Sequence, residues 1–127
     1  MKTRIQSVVA LIFALLFSIF STAQSKPEEL AQQSAGAWLA LVDAGKYAAS
    51  WDQAAELFKA AVTQNQWLSA LNSTRSPLGK LVSRKLKSAT YTKMFPGAPD
   101  SEYVVLPYDT SREHKQSAVE TITPTLG

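Results

Sequence analysis

A chain of 127 residues, 46% hydrophobic, 18% charged and free of cysteine, has room for one small domain, which excludes a multidomain enzyme. Its net charge of +3 gives no strong pull toward nucleic acid, because Lys2 and Arg4 belong to a leader whose removal leaves only +1. With no disulfide available, the fold must rest on a packed core or on a partner.

Lys2 and Arg4 precede an apolar run from Val8 to Phe20 broken only by Ser18, and Ser21-Thr22-Ala23 offers small side chains at a cleavage site. That order reads as a secretory signal peptide, residues 1–23, cleaved after Ala23, with a single mature domain over 24–127 in the periplasm or outside the cell. The rival is an uncleaved anchor. The thirteen residues from Val8 to Phe20 span only about 20 Å as a helix, short of a hydrocarbon core of roughly 30 Å, so no stable membrane anchor is expected after cleavage. No cysteine follows the run to carry a lipid.

Ser25-Lys26-Pro27-Glu28 reads as a capping box and Gly45 as a left-handed stop, which predicts a first helix over about Lys26 to Ala44. Its packed stripe is Ala31, Ala35, Trp38, Leu39 and Val42. Residues 46–49 connect it to a second capping box, Ser50-Trp51-Asp52-Gln53, opening a short helix that carries Ala54, Ala55, Leu57, Phe58, Ala61 and Val62. Thr63-Gln64-Asn65-Gln66 is a third box, starting either a fresh helix or a kinked continuation through Trp67, Leu68 and Leu71 that ends by Ser76, ahead of Pro77 and Gly79. Trp38, Trp51 and Trp67 fall on packing faces, where core is the preferred reading over an aromatic pocket.

Beyond Gly79 the period shortens. Residues 81–95 predict one long twisted strand with a wet face, and Pro96 to Asp100 a turn. Tyr103 to Tyr108 reads as a strand covered on both sides, with Pro107 near a strand end or a sheet edge. A turn over 109–114 leads to a third strand, Lys115 to Thr123, with Ala118, Glu120 and Ile122 on one side, and Pro124 begins a terminal turn. Helices followed by strands predict an α+β fold, the N-terminal helices packed on a curved antiparallel sheet whose last edge is open.

Charge is spread unevenly: −3 over residues 24–56, +7 over 57–99 and −3 over 100–127. The basic block, Lys59, Arg75, Lys80, Arg84, Lys85, Lys87 and Lys93, is either an anion or membrane-surface patch or a strand and helix end set beside acidic neighbours. The second reading is preferred.

Trp38 through Tyr47, then Ser50-Trp51, Ala54-Ala55, Phe58, Val62, Trp67, Arg75 to Gly79, Arg84, Pro96 to Asp100, Tyr103 and Ala118 to Thr121 form a pattern in which the order and spacing matter more than any piece. Over nearly all of residues 31–123 it resembles DUF4019, a domain-of-unknown-function family of small exported bacterial proteins. The resemblance implies a secreted or periplasmic protein with an α+β fold similar to the cone-shaped barrels of nuclear transport factor two and ketosteroid isomerase. It also implies a last, Trp-containing strand that a chain ending at Gly127 lacks, and an aromatic residue where Arg112 stands.

Few residues are equipped for chemistry. His114, the only histidine, sits in a predicted turn without an orienting partner, and one His without Cys gives no structural zinc site, so no metal and no cofactor is expected. Asp43 and Tyr47 flank Gly45, where they either organise the turn or act as base and hydrogen-bond donor at a pocket mouth. Glu120, on a face with Ala118 and Ile122, needs a cation or donors if that face is interior, and Arg75 or Arg84 can pair with it, for a ligand or for the fold alone.

Three readings of function stand. The leading one is a non-enzymatic module that binds a small ligand or a protein through the concave face of the sheet, using Tyr91, Tyr103, Tyr108 and Glu120 with Arg75 or Arg84. The second is an isomerase-like enzyme with Asp43 or Glu120 as base, which requires a carboxylate of raised pKa in an enclosed apolar pocket. In the third, the open edge strand recruits another chain or a second copy.

Overall fold

Among the described residues four helices occupy the first half of the domain, and the first and last of them lie where the apolar spacing places them. The computed structural model describes residues 12–17 and 26–126. The expected cleavage site, Ser21 to Ala23, and the first capping residue, Ser25, lie outside the described residues. Helix α1 runs Pro27–Asp43 with Lys26 as N-cap, and Ala31, Ala35, Trp38, Leu39 and Val42 are its buried residues. Helix α4, Gln64–Thr74, opens on the predicted box: Gln66 N donates to Thr63 Oγ1 at 3.1 Å and Thr63 N to Gln66 Oε1 at 2.9 Å. Ser76–Leu78 then form a single 3-10 turn that accommodates Pro77 in its first positions.

Between them the structure departs from the sequence reading. The expected single helix after Ser50 is two: α2, Tyr47–Asp52, and α3, Glu56–Ala61. Ser50 is no cap but a fully buried residue inside α2. Its hydroxyl donates to Tyr47 O at 2.7 Å and accepts from Trp67 Nε1 at 2.9 Å, and its carbonyl accepts from Trp38 Nε1 at 2.9 Å. Trp51 Nε1 donates to Val62 O at 2.7 Å, closing α2 against the end of α3. Trp38 and Trp67 meet at 6.0 Å between ring centroids and Phe58 meets Trp67 edge-on at 5.2 Å, so two of the three tryptophans are core and Trp51 packs at its margin.

The sheet is built on β4, Tyr103–Arg112, with β2 (Leu81–Leu86) and β3 (Thr90–Thr92) antiparallel along one side and β5 (Lys115–Leu126) antiparallel along the other. On the far side of β5, Ile12–Phe17 form β1, parallel to it. The fold is therefore α+β, with α1 laid across the sheet and Trp38, Leu39, Val42, Leu71, Val104, Leu106, Tyr108 and Ile122 in one core.

Five expectations about the strands are corrected. The long strand over 81–95 is broken at Lys87–Ala89. Pro107, expected at an end or edge, stands in the middle of the central strand: its carbonyl accepts from Lys87 N at 2.8 Å, but it has no N–H to return. The ladder fails there, and the pairing resumes one residue out of step, Leu86↔Tyr108 giving way to Thr90↔Val105. The expected turn over 109–114 shrinks to Glu113-His114, because β4 continues to Arg112. Strand β5 does not stop at Thr123 but runs through Pro124 to Leu126, and its outer edge, expected to be open, is paired with β1.

Candidate functional site

Alternation along β4 sends Val104, Leu106, Tyr108, Thr110 and Arg112 to the helix side, and all five are buried. The register sets Glu120 of β5 opposite Tyr108, and Arg84 of β2 opposite Thr110, on that same side. Two helix ends reach over this end of the sheet. Asp43 is the last residue of α1, where the helix dipole disfavours an acid, and Arg75 is the C-cap of α4, where it favours a cation.

The result is a cluster of three guanidiniums and two carboxylates. Arg84 grips Asp43 with two bonds, Nη1 to Oδ2 at 2.7 Å and Nη2 to Oδ1 at 3.0 Å, and donates from Nε to Glu120 Oε1 at 2.9 Å. Arg75 Nη2 donates to Glu120 Oε2. Arg112 Nη2 lies 3.4 Å from the same oxygen, while its Nη1 donates to Gly79 O at 3.3 Å. Thr110 Oγ1 completes the shell of Glu120 with a bond of 3.1 Å to Oε1. The side chains of Arg75, Arg112 and Glu120 are only 5%, 6% and 6% exposed.

These surroundings set the ionisation. Burial alone would raise the Glu120 carboxyl, but the charges of Arg75, Arg84 and Arg112 and the bond from Arg84 outweigh it and hold the group below its ordinary value. Burial pulls Arg75 down, Glu120 works against that and Arg112 adds to it, although a guanidinium keeps its proton throughout the physiological range. Arg84 goes the other way: its bonds to Asp43 and Glu120 overcome burial and raise it. The Tyr108 hydroxyl is raised, chiefly by burial.

Charge does not balance within the cluster, and the surplus has a location. The Nε and Nη1 of Arg75 are buried without a hydrogen-bond partner, Nη1 standing 3.6 Å from Asp43 Oδ1, too far for one. Beside Arg75 opens a cleft of about 280 Å³ between the end of α1, the 3-10 turn and the β4–β5 hairpin, lined among others by Asp43, Tyr47, Lys80, Arg112 and Glu113. Its floor and mouth thus carry three cations against two acids, on walls supplied by Val42 and Leu81.

Of the residues singled out from sequence, the structure brings together Glu120, Arg75 and Arg84, with Tyr108 beside them. It does not bring in Tyr91 or Tyr103. Tyr91 lies opposite Val104, four residues along β4 from Tyr108, and donates to Glu102 Oε1 at 2.6 Å. Tyr103 is on the opposite face of β4 from Tyr108, its ring tilted against Phe95 at 5.5 Å between centroids and its hydroxyl donating to Pro99 O. Asp43 joins the cluster rather than only ordering its turn, and with Tyr47 it lines the cleft. Sequence reasoning missed Arg112, whose signal was the period of two, Tyr108, Thr110, Arg112, carried past the point where the strand was expected to end. His114 is exposed at the hairpin tip. Among the described residues no group of three His, Cys, Asp or Glu is placed to hold a metal ion.

Comparison with known proteins gives one match: the family described as "Protein of unknown function (DUF4019)", over residues 34–127. No curated protein and no solved structure matches the chain. The chain belongs to the DUF4019 family.

Proposed function

We propose that this member of the DUF4019 family is an exported, non-enzymatic binding protein that takes a small organic carboxylate in the cleft beside Arg75. The observation that carries the reading is the surplus guanidinium. Arg75 is buried, its Nε and Nη1 make no hydrogen bond, and it lines a cleft whose volume suits a ligand of a few heavy atoms. A carboxylate entering there neutralises the surplus and meets Arg75, Arg112 and Lys80, the geometry for which guanidinium is suited. Glu120 argues against catalysis by this site: a carboxylate lowered by three guanidiniums is a poor base, whereas the isomerase-like reading needs a raised one in an apolar enclosure.

Export is the second part of the proposal and rests on the order of charge, apolar run and small residues over 1–23. Among the described residues no helix is long and apolar enough to cross a membrane. N-terminal sequencing of the protein from the periplasmic fraction should begin at Gln24; Met1 retained on all of it removes leader cleavage from the reading, and absence of the protein from that fraction removes export.

Titration calorimetry with succinate, citrate and benzoate, against sodium chloride as control, tests the cleft. Saturable binding to one site, weakened at least tenfold by Lys80→Met and untouched by Lys59→Ala, is expected. No saturable heat up to about 10 mM, a free energy weaker than roughly 3 kcal/mol, would count decisively against a carboxylate site.

A further inference from the structure

The outer edge of β5 is built to take a strand, and in this structure part of the leader takes it. Ile12–Phe17, six apolar residues in succession, lie parallel to β5 in the register Ile12↔Thr121 through Phe17↔Leu126. On the inner side, Leu126 N donates to Glu102 O at 2.8 Å. Alternate residues of a strand turn their N–H groups the same way, so Ile122, Pro124 and Leu126 address β4, while Thr121, Thr123 and Thr125 present their donors to the outer edge. Pro124 therefore falls in the phase where its missing donor leaves the outer ladder intact.

Edge strands are ordinarily guarded by charge, by proline, by a bulge or by brevity. Here Thr121 to Leu126 contain no charged residue, the one proline is in the wrong phase to guard, and the register is regular from Leu106↔Ile122 to Tyr103↔Thr125. The nearest charge on the strand, Glu120, is turned inward to the guanidiniums. What occupies the edge defines what fits it: an extended, uninterrupted apolar segment of the length of Ile12–Phe17.

We infer that the β5 edge is a strand-acceptor site: Ile12–Phe17 holds it in the full chain, and removal of the leader frees it for an extended apolar segment of a partner chain, added parallel to β5. The timing rests on the export reading above. The acceptor edge itself does not.

The test is amide exchange in the full chain and in its Ala14→Pro, Leu15→Pro double variant. The two positions are adjacent, so one of them removes a donor that faces β5. In the variant, Thr121, Thr123 and Thr125 should exchange about tenfold faster or more, and a lysine-flanked peptide of residues 12–17 should restore their protection at one equivalent, while the same peptide carrying Leu15→Pro should not. Unchanged exchange in the variant, or no protection from the peptide, overturns the inference. Protection that returns with protein concentration alone makes a second copy the occupant and overturns the assignment to a partner chain. Should the variant lose its near-ultraviolet tryptophan signature, displacement of the native strand from the unmodified chain by the fluorescently labelled peptide decides the question, and no uptake overturns the inference. A retained leader with peptide uptake defeats only the removal of the leader; a retained leader with no uptake defeats both that and the acceptor edge.

Discussion

Glu120 is the residue on which three guanidiniums depend, and the dependence is unequal. Replacing it by Gln leaves Arg75, Arg84 and Arg112 sharing Asp43 alone, and stripping one partner from a buried pair costs about 3–5 kcal/mol. Arg75→Met removes the surplus cation instead and leaves two guanidiniums for two carboxylates, so a clearly smaller loss is expected. Urea unfolding of the two variants side by side gives the order, and equal losses would contradict the surplus. Acid supplies a second measurement. The native pKa of Glu120 lies below its ordinary value of 4.5, so its ionised form stabilises the fold above that value and the contribution is lost as pH falls toward and through the native pKa. Melting temperature should therefore fall more steeply below about pH 4.5 in the parent than in Glu120→Gln, and parallel curves would show that another group governs acid unfolding.

Among the elements, the β4–β5 hairpin is held down at its tip. Glu113 N donates to Lys80 O at 3.0 Å and His114 N to Leu78 O at 2.9 Å, and between them lies Gly79 at φ +76°. A Cβ on Gly79 would stand 2.9 Å from Glu113 Cβ and His114 Cδ2, whereas at Gly97, φ +80°, nothing lies within 4 Å. Both alanine variants incur backbone strain of about 1–3 kcal/mol, but Gly79→Ala must also lift the hairpin from the cleft, so it should unfold at the lower denaturant concentration of the two. Helix α4 was legible because its cap, apolar period and stop agree, and α1 because its apolar period and its stop do. The division of α2 from α3 was not, because Ser50 is claimed by Trp38 and Trp67, and the break between β2 and β3 was not, because its cause, Pro107, sits on another strand. Local signals place an element; a distant partner decides where it is cut.

At the scale of the whole molecule the same division holds for the site. A carboxylate at Glu120 needing Arg75 or Arg84 follows from an acid on an apolar face, and the structure supplies both. That Asp43 and Arg112 complete the set depends on how the end of α1 meets a strand longer than its composition announces. Tyr91 and Tyr103 were grouped with them by strand composition alone, and the register separates them. The cluster also bears on the history of the fold. Its bonds to the two helix ends join residues 41 and 45 positions apart, Arg84 to Asp43 and Arg75 to Glu120, so these cannot close until the sheet and helices have met. Contacts absent from the transition state act on the way out, not on the way in. Arg84→Met should accordingly accelerate unfolding in stopped-flow experiments while leaving the refolding rate close to that of the parent, and slowed refolding would place the cluster in the nucleus. The five charged side chains then govern the lifetime of the folded molecule, a clock that starts only after the fold is complete.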